Sequence, residues 1–109
     1  MIICIFEINL SEAAVVFDKY QRKFRLDSKN RFQTMMGELN MLERFSTVDI
    51  YPISIKIINN AIKMVLEQHV YIVDAIQLEA SIEARVSLFC STDKELNTIA
   101  MKIGLKTII

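Results

Sequence analysis

The sequence contains few of the residues that interrupt regular structure or build metal and disulfide frameworks. Its 109 residues include two Gly, one Pro, one His, two Cys and no Trp. So few Gly and Pro exclude a collagen-like or Pro/Gly-rich disordered chain. The single His69 has no Cys or His at zinc-site spacing, which argues against a metal role for it. Because Cys4 and Cys90 lie in apolar segments, we expect reduced core thiols and a cytoplasmic protein.

Net charge and long apolar runs are also missing. Thirteen Lys and Arg residues balance thirteen Asp and Glu residues. A nucleic-acid partner would therefore have to be met by a local basic patch. No apolar run approaches the roughly 20 residues of a membrane-spanning helix, so no membrane partner is expected. The length and the hydrophobic fraction of 52% predict one domain over residues 1–109 with a single core.

The apolar pattern predicts alternating strands and helices. Strands are predicted at residues 1–6, 48–53, 86–90 and 105–109. Helices are predicted at residues 9–26, 29–45, 54–67, 74–85 and 93–103. The run 86–90 is apolar apart from Ser87 and lies between helices, as is typical of a parallel strand buried on both faces. The predicted fold class is α/β, a three-layer α/β/α domain with a mostly parallel sheet of about four strands.

Four of the predicted helices carry apolar stripes at helical spacing, which we expect to face the core. The stripes are Ala13, Val16, Phe17, Tyr20 and Phe24; Phe32, Met35, Met36, Leu39 and Leu42; Ile58, Ala61, Ile62 and Val65; and Leu96, Ile99, Ala100 and Ile103. Gly104 follows the last helix, where a left-handed residue commonly ends a helix.

Three carboxylates lie at or just after predicted helix starts: Glu12, Asp74 and Asp93. A helix N-terminus carries partial positive charge, which keeps a carboxylate ionised. Asp93 also follows the predicted strand 86–90, and ligands of open α/β sheets bind at the carboxyl ends of strands. Local structure offers alternatives. Asn9 with Glu12, and Thr92 with Glu95, fit capping boxes, and Asp74 fits a simple N-cap.

Two segments near the C-terminus resemble motifs of the PIN domain, the nuclease fold of the VapC toxins of toxin–antitoxin pairs. DAIQLEAS, residues 74–81, resembles the family's Asp-Ala-x-His-Leu-Ala-x-Ala helix start. FCSTDKEL, residues 89–96, with Ala100 and the GLK at 104–106, resembles its strand, Thr-x-Asp-x-x-Leu, helix and Gly-Leu. Together they span residues 74–106, about a third of the chain, at the family's spacing.

The resemblance implies a metal-dependent endoribonuclease with RNA as substrate and an antitoxin protein as a partner. Glu12, Asp74 and Asp93 would be its catalytic and metal-binding acids, and would hold Mg²⁺ or Mn²⁺ through hard oxygen ligands. The metal would activate water and neutralise charge on a phosphodiester. Ser91 or Thr92 would supply a hydroxyl that supports these ligands.

The N-terminal part departs from the family pattern, because no strand ending in Asp-Thr-Ser or Asp-Thr-Asn precedes Glu12. In the preferred alignment, INLSEA at 8–13 carries the family Glu and the family's first strand is absent. In a second alignment, residues 1–7 are that strand, Glu7 replaces its Asp and Asn9 is retained. Gln77 and Glu79 also replace the family's His and Ala. One acidic position is altered in either alignment, so the alternative function is a catalytically dead PIN-like protein that binds an antitoxin or itself.

A basic segment of the first predicted helix is a second candidate for contact with RNA. Lys19, Arg22, Lys23 and Arg25 interleave with Tyr20 and Phe24, as in aromatic and basic surfaces that bind single strands. The alternative is a solvated helix face with both aromatic rings turned inward.

A parallel sheet without its central strand exposes apolar surface and unpaired backbone groups. We therefore expect a homodimer, with the helix around Met35 and Met36, or the N-terminal strand, at the contact.

Overall fold

The computed structural model of the chain describes residues 2–108. Its elements in order are β1 Ile3–Phe6, α1 Glu7–Phe24, α2 Ser28–Arg44, β2 Val48–Tyr51, α3 Ile55–Gln68, α4 Ile72–Ala84 and α5 Lys94–Lys102. The mixed α/β class is confirmed. The residues fall into two compact units, Met1–Pro52 and Ile53–Ile109. The three-layer arrangement and the single domain stay predictions.

The first unit is built on a parallel pair of strands. β1 pairs with β2 in parallel, in a register that runs from Ile3 opposite Val48 to Phe6 opposite Tyr51. β2 stops one residue before Pro52, which has no backbone N–H to donate to a ladder. Phe6 and Val48 are buried, so these two strands supply the apolar centre of the unit. Parallel pairing between the first two predicted strands is confirmed.

The helices of the first unit form a hairpin. Arg25 ends α1 in a left-handed conformation, and Asp27 opens α2 by accepting a hydrogen bond from the backbone N–H of Asn30 at 3.4 Å. The Ser28 hydroxyl donates to the Phe17 carbonyl at 2.6 Å. The rings of Phe17 and Phe32 pack edge to face with centroids 5.7 Å apart. The short loop, the Ser28 hydrogen bond and the contact between the two rings together hold α1 against α2.

The start of α1 differs from the prediction. The helix begins at Glu7, so Asn9 is its third residue and not its N-cap. The Asn9 side-chain oxygen accepts from the backbone N–H of Phe6 at 3.0 Å. This bond satisfies one of the free N–H groups at the helix start, and it replaces the predicted capping box of Asn9 with Glu12.

The predicted burial of the α1 stripe is wrong. Within α1, all of which the structure describes, no residue is buried. Ala13 and Phe17 are half-buried, whereas Val16, Tyr20 and Phe24 are exposed. The contacts with α2 cover only the narrow strip around Phe17, because one neighbouring helix cannot cover a stripe that winds around the helix.

The second unit has its core between α3 and α4, with α5 and the Phe89 segment added to it. Ser54 caps α3, as predicted, by accepting from the backbone N–H of Ile57 at 3.1 Å. The core residues are Ala61, Met64, Val70, Ala75, Leu78, Phe89, Leu96 and Ala100. The buried row of α3 is Ile57, Ala61 and Met64. Ile62 is exposed, so its predicted burial is wrong. The buried row of α3 is therefore rotated from the predicted one.

The predicted strands at 86–90 and 105–109 are not extended strands. Their described residues form a single parallel bridge between Phe89 and Thr107, in which the Phe89 N–H donates to the Lys106 carbonyl at 2.8 Å. Leu88 and Cys90 are exposed, so burial on both faces is wrong, as is the core thiol at Cys90. A strand needs a backbone partner along its length, and here pairing stops after one bridge. Met1 and Ile109, the ends of two predicted strands, lie outside the described residues.

The last helix follows its prediction. α5 buries Leu96 and Ala100, and Ile99 and Ile103 pack against the core. Gly104 has a φ of 94°. The N–H of Gly104 donates to the Met101 carbonyl at 3.1 Å and that of Leu105 to the Ala100 carbonyl at 2.9 Å, which is the Schellman pattern of helix ends. Among residues 2–108, no helix combines the length and apolarity needed to cross a membrane.

Candidate acidic site

Asp74 lies in the first turn of α4. The helix begins at Ile72, two residues before the predicted start, and its N-cap is Tyr71. Asp74 is therefore the third helical residue, and the N-cap alternative for it is wrong. A carboxylate in the first turn still interacts favourably with the positive end of the helix dipole. Its side chain is half-buried beside the apolar residues that begin this helix.

Asp93 is the N-cap of α5. Its Oδ1 accepts hydrogen bonds from the backbone N–H groups of Glu95 at 3.0 Å and Leu96 at 3.2 Å. The capping box of Thr92 with Glu95 is therefore wrong, because the neighbouring Asp93 caps instead. Both bonds use Oδ1, and Oδ2 takes part in neither. The cap thus explains one carboxylate oxygen and leaves the other available to water or a cation.

The loop that carries Asp93 is fixed from two sides. The Asp93 N–H donates to the Ser91 hydroxyl at 3.0 Å. The Asn97 side-chain amide donates to the Ser91 carbonyl at 2.9 Å, and the Asn97 backbone N–H donates to the Asp93 carbonyl at 3.0 Å. The Ser91 hydroxyl and carbonyl therefore both fix the loop at Asp93, and the role of Ser91 or Thr92 beside a metal ligand stays a prediction. Thr92 is exposed.

Asn97 is the residue of this site that sequence reasoning missed. It is only 4% exposed, and among the described residues no donor reaches its Oδ1. The signal was available: Asn97 lies between Leu96 and Ala100 on the predicted buried face, and a buried amide requires polar partners. Its side-chain amide donates to the Ser91 carbonyl in the loop before Asp93, and this hydrogen bond helps to fix the position of Asp93.

The carboxylates of Asp74 and Asp93 interact electrostatically. Burial raises the pKa of Asp74 above its ordinary value, and the negative charge of Asp93 raises this pKa further. Two helix N-termini of the second unit thus bring two acids near each other, although the eighteen residues 75–92 lie between them in sequence. Like charges held together in this way disfavour double ionisation unless a cation joins them.

A further carboxyl on α4 has a pKa raised by burial alone. It belongs to Glu79, at the position where the resembled family has Ala. Glu79 lines a surface cleft of about 270 Å³, and a second cleft of about 530 Å³ lies around His69 and Lys102. Asp74 and Asp93 line neither cleft.

Glu12 lies in the first unit, on the exposed surface of α1. The Asn9 amide donates to its carboxylate at 3.5 Å. Glu7, the acid of the second alignment, directly follows β1. Within residues 2–108, no three His, Cys, Asp or Glu side chains form a group able to hold a metal ion. What the second unit brings together is the pair, and the convergence of three acids stays a prediction.

The four basic residues predicted to contact RNA lie at the end of α1, with Arg25 as its C-cap. Arg22 forms an ion pair with Asp18 at 3.2 Å. Tyr20 and Phe24 are both exposed. The alternative in which these rings turn inward is therefore wrong.

The cap role of Asp93 can be separated from its charge. Asp93→Ala is expected to lower the free energy of unfolding by about 1 kcal/mol, because Ala cannot accept the two N–H bonds. Asp93→Asn is expected to lower the free energy of unfolding by only about a few tenths of a kcal/mol, since Asn caps about as well as Asp. Urea denaturation of both variants measures the difference. Equal stability of the two would show that the cap bonds do not matter.

Comparisons with protein-family models, with curated proteins and with solved structures find no match to this chain. The resemblance of the 74–81 and 89–96 segments to PIN motifs therefore stays a prediction. A functional assignment has to come from the geometry and charge of the acidic pair.

Proposed function

We propose that the chain is a PIN-like endoribonuclease that uses Mg²⁺ or Mn²⁺ bound at Asp74 and Asp93. The observation that carries the proposal is the Coulombic interaction of these two acids in the second unit: the pKa of Asp74 is raised by burial first and by the negative charge of Asp93 second. A carboxyl whose pKa is raised by burial together with a nearby like charge is typical of functional sites. RNA is the proposed substrate, an antitoxin protein a proposed partner, and the cytoplasm the proposed location.

The residues present fit a hydrated Mg²⁺ ion. Mg²⁺ is commonly held by one or two carboxylates, with waters completing an octahedron. Asp93 keeps its Oδ2 outside the cap bonds, and a cation between the acids would offset their repulsion. When bound, the ion supplies an activated water and neutralises charge on the phosphodiester. Ser91 and Asn97 would keep the Asp93 ligand in position.

Two acids alone are expected to bind the ion weakly. Glu12, and in the second alignment Glu7, remain candidate further acids whose participation is a prediction. Mn²⁺ accepts the same carboxylate and water ligands as Mg²⁺, and it is paramagnetic, so its binding can be followed directly. Added Mn²⁺ is therefore the more sensitive probe of the site.

The test combines binding and cleavage. The protein is incubated with a fluorophore–quencher single-stranded RNA in EDTA, in Mg²⁺ and in Mn²⁺, and Mn²⁺ binding is followed separately by electron paramagnetic resonance. We expect cleavage only with metal, together with weak Mn²⁺ binding that Asp74→Asn/Asp93→Asn abolishes. Cleavage that persists in the double variant would contradict the proposed site, and so would Mn²⁺ binding that is unchanged.

The alternative function is association without catalysis, and the first unit supports it. Its sheet has two described strands, and such a pair is only marginally stable by itself. Ile2, Ile3, Met41 and Phe45 are exposed apolar residues of this unit. Met35 and Met36 are half-buried on α2. A second copy joined through β1 or α2 would cover such surface.

Sedimentation velocity tests this alternative. A homodimer is expected at micromolar concentration, and Ile3→Lys is expected to weaken it, because a charged edge strand resists pairing. A wild-type chain that remains monomeric at high micromolar concentration would contradict self-association.

A further inference from the structure

Positive charge is concentrated in one short part of a chain that is neutral overall. Residues 19–31 contain six of the thirteen basic residues but only one of the thirteen acids, Asp27. The six are Lys19, Arg22, Lys23, Arg25, Lys29 and Arg31. Such concentration creates a local positive potential although the net charge is zero.

The hairpin of the first unit gathers these residues at one end. They occupy the end of α1, the loop at 25–27 and the start of α2. The acid within this segment is engaged locally, since the Asp27 carboxylate accepts from the backbone and side-chain N–H groups of Asn30 at 3.4 and 2.6 Å. Arg22 is paired with Asp18 at 3.2 Å, and the other five basic residues lie in the last turns of α1, the loop and the first turn of α2, at the connecting end of the hairpin.

Two aromatic rings lie exposed within the same cluster. Tyr20 is 48% and Phe24 54% exposed. Their centroids are 5.7 Å apart and their planes differ by 20°, so the rings are stacked. The Lys23 ammonium lies 5.5 Å from the Phe24 centroid, a cation–π distance. The helix thus presents a nearly parallel ring pair together with a cation.

We propose that this cluster, the hairpin-end platform of Lys19, Tyr20, Lys23, Phe24 and Arg25, binds single-stranded nucleic acid. Bases would stack on the exposed rings, and the Lys and Arg side chains would contact the phosphates. A duplex hides its base faces, and an acidic peptide has charge but no regular series of flat rings. The combination of rings and cations therefore favours an unpaired strand.

The platform does not depend on the acidic pair. Asp74 and Asp93 belong to the other unit, and no metal is needed for stacking or phosphate contact. Binding can therefore be measured in EDTA, where the proposed nuclease would be inactive. Loss of strand binding and loss of cleavage are thus distinguishable results.

A matched pair of aromatic substitutions tests the rings. Binding of a fluorescein-labelled oligouridylate is followed by anisotropy in EDTA at low salt. Phe24→Ala is expected to weaken binding roughly tenfold, the effect of losing one base–aromatic stack. Phe45→Ala is the control. Phe45 is also exposed, but it ends α2 away from the loop, and binding should be unchanged. Equal effects of the two substitutions would overturn the proposal.

A second matched pair tests the charge. Arg25 and Arg85 each end a helix with a φ of 54°, a left-handed conformation that favours Gly. Both Arg→Gly substitutions remove one charge and relieve the same backbone strain, so both variants should be at least as stable as the wild type. Arg25→Gly is expected to weaken strand binding a few-fold and to reduce the log–log salt slope by about 0.7, the value per phosphate contact on a single strand. Arg85→Gly should change neither.

Competition identifies the ligand class. Unlabelled oligouridylate and oligothymidylate are both expected to compete, and their relative strength distinguishes RNA from DNA. Polyglutamate is expected to compete far more weakly, because it cannot stack. Polyglutamate that competes equally would overturn the proposal in favour of an acidic protein partner. Failure of the labelled strand to bind at low salt would overturn it outright.

Discussion

Asp74→Asn is expected to reduce metal-dependent RNA cleavage by more than about a hundredfold. Even outer partners of metal ligands are worth roughly 10- to 100-fold in activity, and a direct ligand should be worth more. The variant keeps the shape of the side chain but removes the charge that would hold the cation. Initial rates with the fluorophore–quencher RNA at saturating Mn²⁺ measure the loss.

The same substitution is expected to stabilise the fold at neutral pH. The folded pKa of Asp74 is raised, by burial first and by the charge of Asp93 second, so ionisation of this carboxyl is less favourable in the folded chain. The stability that its neutral form contributes to the folded chain is therefore fully present below the ordinary pKa of 3.8. This stability is lost as pH rises through the pKa of the folded state. Wild type and Asp74→Asn should converge in stability near pH 3 and diverge above it.

Asp49→Asn is the charge-matched control, since Asp49 is an exposed acid of the first unit. We expect it to leave cleavage unchanged. An Asp74→Asn variant that unfolds would identify the carboxylate as a structural group. One that cleaves at the wild-type rate would contradict the proposed metal site.

Leu78→Ala is expected to lower the free energy of unfolding by about 2–5 kcal/mol, the usual range for a buried Leu that leaves a cavity. Leu78 is 0% exposed and lies in the core cluster with Ala61 and Ala75. Small domains have only about 5–15 kcal/mol of stability in total, so this one substitution removes a large part of it. Urea denaturation gives the value directly.

The control for packing is Leu66→Ala on the neighbouring helix. Leu66 is 73% exposed, and its removal should change stability by no more than about 0.5 kcal/mol. A comparable loss in both variants would mean that Leu66 is covered in solution, for example by a second copy. A small loss at Leu78 alone would contradict the core assigned to the second unit.

Helix positions and several of their ends could be read from neighbouring residues. Helix caps form hydrogen bonds to groups only three or four positions away along the chain, so both partners are visible in the sequence. This holds for Ser54 before α3, Asp93 before α5 and Gly104 after α5. The starts of α1 and α4 differed by two residues. At the start of α1 the capping bond comes from Asn9, which lies inside the helix, and at Tyr71, before α4, no side chain forms a capping bond. The preference for particular N-cap residues therefore carries little information at these two starts.

Strand extent and helix-face burial depended on partners distant in sequence. An apolar run such as 86–90 favours a strand, but without a partner along its length only the Phe89–Thr107 bridge forms. The spacing of the α1 stripe is compatible with burial. Yet Tyr20 and Phe24 stay exposed because the hairpin covers only the strip around Phe17.

The acidic pair depends on both the local sequence and the tertiary structure. Local sequence identifies Asp74 and Asp93 as acids at helix starts, because helix periodicity and capping preferences extend over only a few residues. Their mutual repulsion is a tertiary property, since it requires the packing of α3, α4 and α5 around Leu78 and Ala100. The hydrogen bond from the Asn97 amide to the Ser91 carbonyl is likewise a tertiary property. Composition reveals that Asn97 is polar on an apolar face, and only the folded chain shows which backbone group satisfies it.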